Sequence, residues 1–245
     1  MSYEKSPYQA YSTTTVANTG VDERADFIRK TYLHLGGAVG IFVALLWGWM
    51  QVPGIENLVA AMFGSPMSWL LVLGAFMVVS YVANKWALTA VSPGMQYAGL
   101  GLYVFAESII FVPIIWIATI VYEPRVGPIV MPAAVTTISL FAVLTAIVFF
   151  TAKDFSFLRT ALMVGGFAAM GAIVVGVIWP ELGIFNLVFI CAMIVFACGY
   201  ILYDTSNVLH HYRPGQHIAA SLALFASVAL LFWYILQLFM RLSRD

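Results

Sequence analysis

Seven long apolar stretches constrain the fold of this chain more than any other feature of its sequence. A helix rises about 1.5 Å per residue, so each stretch is long enough to cross a hydrocarbon core about 30 Å thick. Backbone polar groups in lipid must find partners within the same structure, which favours helices here. The stretches lie at about residues 31–52, 67–84, 97–121, 127–152, 158–179, 184–203 and 219–240.

The composition agrees with a membrane protein and excludes some other classes. Of 245 residues, 62% are hydrophobic and only 9% are charged, and the mean hydropathy is +0.95. A soluble domain carries about 25% charged residues, so this chain has too few charges to coat a surface facing water. Eleven basic residues balance eleven acidic ones, and no cationic field favours nucleic acid. We predict an all-α polytopic membrane protein surrounded by lipid, with no nucleic-acid partner.

The chain is expected to have two parts. Residues 1–28 are polar and are predicted to form a flexible N-terminal tail, within which Asp22 is a candidate cap for the first helix. Residues 29–245 are predicted to form the seven-helix transmembrane domain. The connections between the apolar stretches are short and contain proline and glycine.

The distribution of lysine and arginine predicts the orientation, because these residues are enriched in cytoplasmic loops. With the N-terminus inside, eight of them are cytoplasmic and three are outside, so the C-terminus is expected outside. A re-entrant last segment, with both ends inside, is the competing topology. The cytoplasmic set is Lys5, Arg24, Arg29, Lys30, Lys85, Lys153, Arg159 and Arg213, and the outer set is Arg125, Arg241 and Arg244.

No catalytic signature is present in the sequence. There is no His-Glu-x-x-His pattern, no Gly-x-Ser-x-Gly and no phosphate-binding glycine loop, so an enzyme is disfavoured and no cofactor is expected. His210, His211 and His217 cluster near the last predicted cytoplasmic loop. They are candidates for metal binding or pH sensing, but solvated loop histidines explain them more simply, and no metal site is assigned.

Two acidic residues in apolar surroundings are the best candidates for function. Glu107 lies near the middle of the third stretch, where a carboxylate costs about 2.5–3.5 kcal/mol or more unless it is paired, hydrated or protonated. Asp204 closes the sixth stretch, and Tyr200 and Asn207 are expected on the same helical face. Together these residues are predicted to line a polar path from the cytoplasmic side to the middle of the membrane. The structural alternatives are a neutral Glu107 bonded to a neighbouring helix and a solvated Asp204.

The chain resembles the Bax inhibitor-1 family of multi-pass membrane proteins. Three stretches carry the resemblance: Phe27-Ile-Arg-Lys-Thr-Tyr-Leu-His-Leu, Lys153-Asp-Phe-Ser-Phe-Leu and Ile201-Leu-Tyr-Asp-Thr-Ser-Asn-Val-Leu-His. The Asp-Thr-Ser-Asn motif and the ending Ser-Arg-Asp are most similar to the bacterial branch, which acts on a membrane-anchored AAA protease. The resemblance implies a bacterial inner-membrane location and a central last helix surrounded by six others.

The resemblance also implies a pH-sensitive calcium leak, attributed in some members to two aspartates that share a proton. Asp204 matches the first aspartate. Ser227 stands where the second would be, and Leu230 stands where an asparagine is usual. Half of the pH sensor is therefore missing from this sequence.

Two functions from different classes follow. The first is a cation leak, for calcium or protons, that uses Asp204 and Glu107. The alternative is an interaction protein that modulates the membrane AAA protease and offers its N-terminal tail as a handle. The buried acids favour the first function. The missing aspartate and the polar tail favour the second.

Overall fold

The computed structural model describes residues 15–89 and 92–243. Within these ranges seven helices are long and apolar enough to cross a membrane, which confirms the predicted all-α membrane fold. Helices α2 and α5 are the short ones, and a π-helical segment, Ile117–Tyr122, joins α4 to α5 in one continuous span. The helices are α1 (Val21–Met50), α2 (Ile55–Phe63), α3 (Pro66–Ala87), α4 (Pro93–Trp116), α5 (Glu123–Val126), α6 (Val130–Thr151), α7 (Leu158–Ile178), α8 (Leu187–His210) and α9 (His217–Leu242).

Local sequence signals set several helix ends. Pro66 and Pro93 occupy the first turns of α3 and α4, where a missing backbone N–H costs nothing. The Ser65 hydroxyl caps α3 by accepting a hydrogen bond from the Ser68 backbone N–H at 3.1 Å. Gly54, with φ of 82°, adopts the left-handed conformation that ends the turn before α2.

Helix α2 was not expected from the sequence, which predicted a loop between the first two spans. Its nine residues cover only about 14 Å, too little to cross a membrane. Ile55, Val59 and Met62 recur at helical spacing and form its buried face. This face packs against α3 and α4, so α2 covers one end of the bundle.

Helix α9 is the centre of the bundle, as the family resemblance implied. Fourteen of its 26 residues are buried, and it packs against α1, α3, α4, α6 and α8. The remaining span, α7, differs from the expectation that all six other helices surround α9. In the described part of the chain α7 packs mainly against α8 and α3, and it makes little close contact with α9.

Aromatic rings interlock the helices around α9. The Phe111 ring of α4 lies edge-on to Phe42 of α1, with ring centroids 5.0 Å apart, and it stacks on Phe232 of α9 at 5.7 Å. Phe42 also meets Phe225 of α9 at 5.5 Å. Such pairs add about 0.5–1.5 kcal/mol each beyond area burial, so they fix α1, α4 and α9 relative to one another.

Residues 15–28 of the predicted tail form a short 3-10 helix and the start of α1, and two of them, Val16 and Phe27, are buried. Val16 lies in a short 3-10 helix, is completely buried, and donates its backbone N–H to the Tyr212 carbonyl at 2.8 Å. Helix α1 already begins at Val21, with Gly20 as its cap, so Asp22 lies in the first turn instead of capping the helix. The buried valine holds the chain against the α8–α9 connection. Residues 1–14 lie outside the described residues.

Candidate functional site

The gap between α7 and α9 holds a cavity of about 1070 Å³. Its walls come from α3, α4, α7, α8 and α9, and along α3 it runs from Pro66 to Asn84. These 18 helical steps correspond to about 27 Å, close to the thickness of a hydrocarbon core. A membrane-length cavity therefore follows from the displacement of α7.

The lining of this cavity is mainly apolar and is interrupted by oxygen-bearing side chains from four helices. Polar groups in an apolar enclosure are costly unless they bond to one another, to water or to a ligand. These side chains include Ser80, Asn84, Tyr103, Glu107, Tyr200, Asp204 and Ser227.

Asp204 lies six residues before the end of α8, or about 9 Å along the helix axis. It is only 8% exposed, so the alternative of a solvated carboxylate is wrong. The buried hydroxyl of Ser227, on α9, donates a hydrogen bond to Asp204 Oδ2. The bond joins α8 to the central helix at one end of the cavity.

Glu107 lies deeper in the bundle than expected from the sequence. Helix α4 begins at Pro93 instead of near Tyr97, which places Glu107 fourteen residues, or about 21 Å, from the helix start. The side chain lines the cavity, and its Oε2 atom is buried without a hydrogen-bond partner among the described residues. The alternative of a Glu107 bonded to a neighbouring helix therefore has no support at this oxygen.

Tyr200 and Asn207, predicted to share one path, lie in different places. Tyr200 lines the large cavity, and its hydroxyl lies 3.5 Å from the Leu162 carbonyl of α7. Asn207 does not line the cavity, because the cavity ends at Asp204, one helical turn earlier. Asn207 lies instead in a second, smaller cleft at the end of the bundle.

Sequence reasoning missed the contribution of α3 to this cavity. Ser80 and Asn84 lie one turn apart, and the Asn84 amide donates to the Ser80 carbonyl at 2.9 Å. The Ser80 Oγ atom is buried beside the Tyr103 side chain of α4. Their spacing of one helical turn within an apolar segment was the sequence signal that could have identified Ser80 and Asn84.

Comparison with known proteins settles the family. The family model described as inhibitor of apoptosis-promoting Bax1 matches residues 24–244. The chain belongs to the Bax inhibitor-1 family. The match confirms the resemblance and extends over the whole helical bundle.

Relatives of the Bax inhibitor-1 family come from distant organisms. Bax inhibitor 1 of Schizosaccharomyces pombe is 30% identical over 232 residues, which cover 94% of this chain and 82% of that protein. LIFEGUARD 4 of Arabidopsis thaliana is 29% identical over 116 residues, covering 46% of this chain and 47% of that protein. An uncharacterized protein of Pseudomonas aeruginosa is 32% identical over 116 residues, covering 47% of this chain and 51% of that protein.

The stretch Lys153-Asp-Phe-Ser-Phe-Leu of this Bax inhibitor-1 family member connects α6 to α7, and its Asp154 side chain bonds this connection to α8. Asp154 accepts hydrogen bonds from the Ser156 backbone N–H at 2.8 Å, from the Ser206 hydroxyl at 3.4 Å and from His211 Nε2 at 3.1 Å. The Ser156 N–H is the main cause that lowers the pKa of Asp154 to about 2, and His211 adds to it. The motif therefore has a structural role here, outside the membrane-spanning segments.

The histidines do not converge on a common site. The His217 ring faces His34 of α1, with ring centroids 5.1 Å apart, and His34 Nε2 lies 3.0 Å from the Tyr97 hydroxyl. His211 pairs with Asp154 instead. Over residues 15–89 and 92–243, no group of three histidine, cysteine, aspartate or glutamate side chains is placed to hold a metal ion.

Proposed function

We propose that this Bax inhibitor-1 family member is a cation leak pathway that passes calcium through the large cavity. The single observation that carries the proposal is that Glu107 and Asp204, from different helices, line one membrane-length cavity. Acidic side chains inside a membrane bundle usually face an ion path or a partner, because they are costly elsewhere.

The chemistry of the lining suits calcium. Calcium takes six to eight oxygen ligands, including carboxylates and waters, in flexible geometry. The cavity offers the carboxyl groups of Glu107 and Asp204 together with hydroxyl oxygens. Glu107 Oε2 has no partner among the described residues, so a cation, a proton or water bound there relieves its desolvation.

The hydrogen bond between Ser227 and Asp204 is the proposed gate. It lies where the cavity ends, about two helical turns from the α8–α9 connection. Tyr203 and Asn207, one and three residues from Asp204 in sequence, line the smaller cleft. Separation of Ser227 from Asp204 would open this end of the large cavity, so the bond controls passage in this proposal.

Reconstituted protein tests the proposal. Liposomes that contain the full chain and a trapped calcium indicator should take up calcium faster than protein-free liposomes. Asp204→Asn should lower the rate several-fold, because it removes the charge at the gate. Glu181→Gln, in the exposed turn Pro180–Leu182, is the matched control and should leave the rate unchanged. A wild-type rate equal to that of protein-free liposomes would contradict the proposal.

The proposed setting is the cytoplasmic membrane of a bacterium, with the N-terminus inside and the C-terminus outside. Eight basic residues on the N-terminal side against three on the other support this orientation. The relative from Pseudomonas aeruginosa supports a bacterial source. In this orientation the Asp204 end of the cavity faces the cytoplasm.

A second candidate function is modulation of a membrane-anchored AAA protease. It is favoured by Ser227, because the hydroxyl replaces the second carboxylate expected of a pH-gated leak. The N-terminal handle would consist of residues 1–14, since Val16 is buried and anchors the chain that follows. Deletion of residues 2–14 should slow turnover of the protein in cells that contain the protease. Turnover unchanged by the deletion would argue against the handle.

A further inference from the structure

A second cleft, of about 390 Å³, lies at the end of the bundle where α7 begins and α8 ends. It shares no lining residue with the large cavity. Each side chain of its wall carries a polar group, and no carboxylate lines it. They are Ser156, Arg159, Tyr203, Asn207, His211, Tyr212 and Gln216.

Arg159 gives this cleft an uncompensated positive charge. Its guanidinium makes no ion pair or hydrogen bond with any residue of the described ranges. The nearest acidic side chain in sequence, Asp154, is already engaged by Ser156, Ser206 and His211. An arginine without a carboxylate partner keeps its five N–H donors available for another acceptor.

The neighbouring amides add hydrogen-bond donors. Gln216 Oε1 accepts from the Arg213 backbone N–H at 2.9 Å, which leaves the Gln216 NH₂ group as the free end of the amide. The Asn207 side chain forms no hydrogen bond within residues 15–89 and 92–243. The cleft therefore combines one cation with free amide and hydroxyl donors, and it lacks a strong acceptor to match them.

We infer that this cleft binds a phosphate group, and that its source is the headgroup of an anionic phospholipid. A planar guanidinium pairs with phosphate oxygens through two parallel hydrogen bonds, and amide donors complete such a site. Basic pockets between membrane helices at the cytoplasmic side suit phospholipid headgroups. Phe157, two residues before Arg159, is 71% exposed, as expected for an aromatic side chain at the membrane interface.

Occupation of the cleft would also stabilise the bundle. Its wall joins the start of α7 to the end of α8 and to the α8–α9 connection. Helix α7 makes little close contact with the central helix. A ligand that binds only the folded protein raises its stability, so an anionic lipid should hold α7 in place.

Native mass spectrometry of the full chain in detergent tests this inference. Phosphatidylglycerol should be retained in preference to phosphatidylcholine with the same acyl chains. Arg159→Gln keeps donors but loses the charge, and it should weaken phosphatidylglycerol binding by about tenfold. Lys153→Gln is the matched control, because Lys153 is an exposed cation of the same connection that does not line the cleft. Its binding should equal that of wild type.

Each alternative outcome is distinct. Equal retention of the two lipids by wild type, or unchanged binding in Arg159→Gln, overturns the inference. An equal loss in Lys153→Gln also overturns it, because binding would then reflect general surface charge. Inorganic phosphate is the second arm. Displacement of phosphatidylglycerol by low millimolar phosphate supports the phosphate site but assigns it to the free anion, whereas resistance to phosphate assigns it to the lipid.

Discussion

Ser227 of the central helix donates a hydrogen bond to the buried carboxyl group of Asp204, at the position where the family resemblance expects a second aspartate. A hydroxyl and a carboxylate do not repel each other, whereas two carboxylates in contact cannot both ionise cheaply. The pair in this protein therefore lacks the shared proton of an aspartate dyad. Flux through the cavity should vary only weakly with pH between about 6 and 8.

Ser227→Asp should install the missing pH switch. The new carboxyl group would contact Asp204, and the two would share a proton whose release changes the charge of the gate. Calcium flux measured in liposomes should then change steeply across roughly pH 6 to 8, by about tenfold. Ser227→Asn introduces a side chain of the same size as aspartate but without a second acid, so its flux should keep the weak pH dependence of wild type. If the flux of wild type already depends steeply on pH and Ser227→Asp does not change it, the pH sensor lies elsewhere.

The sequence predicted the fold better than the site. Seven helical spans follow from apolar length, because a helix satisfies its own backbone in lipid and stretches of about 20 residues exceed the length of a barrel strand. The packing of Val16 and the short helix α2 were missed, since both depend on contacts distant in sequence. Glu107 and Asp204 were singled out because acids in apolar segments are costly, and both line the large cavity. Asn207 was assigned to the wrong space, because helical periodicity does not reveal where a cavity ends.

Gly99→Ala should destabilise the protein by about 1–3 kcal/mol. A Cβ atom at Gly99 would lie 2.5 Å from the Ala83 carbonyl oxygen and 2.7 Å from the Ala87 nitrogen, so α3 and α4 would have to separate. Gly101→Ala, on the same helix with nothing within 4 Å, is the control and should cost nothing. Thermal unfolding in detergent measures both. Equal stability of the two variants would contradict the close packing of α3 on α4.

Asp154→Ala should lower the free energy of unfolding by about 0.5–1 kcal/mol near pH 7, since it removes the acceptor for Ser156, Ser206 and His211. The folded-state pKa of about 2 lies below the ordinary value of 3.8. The contribution of Asp154 is therefore complete above about pH 4 and is lost as the pH falls towards 2. Stability measured against pH should show this difference from wild type, while Lys153→Ala should follow wild type. A difference that grows on acidification would contradict the assignment.

The C-terminus should lie on the opposite side of the membrane from the N-terminus. Helix α9 is continuous over 26 residues, or about 39 Å, which is enough to cross a hydrocarbon core completely. Reporter fusions after residue 245 should be active outside the cytoplasm. Cytoplasmic activity of those fusions would show that the last segment is re-entrant.

Calcium flux through Glu107→Gln is the most direct measurement of whether the cavity conducts. Glutamine preserves the size of the side chain and removes the carboxylate whose Oε2 atom is buried without a partner in the described structure. Purified wild type, Glu107→Gln and the exposed control Glu181→Gln should be reconstituted at equal density and measured at several pH values. A path lined by Glu107 predicts a several-fold lower rate for Glu107→Gln at every pH, with Glu181→Gln equal to wild type. A rate for Glu107→Gln that matches wild type at every pH would contradict it.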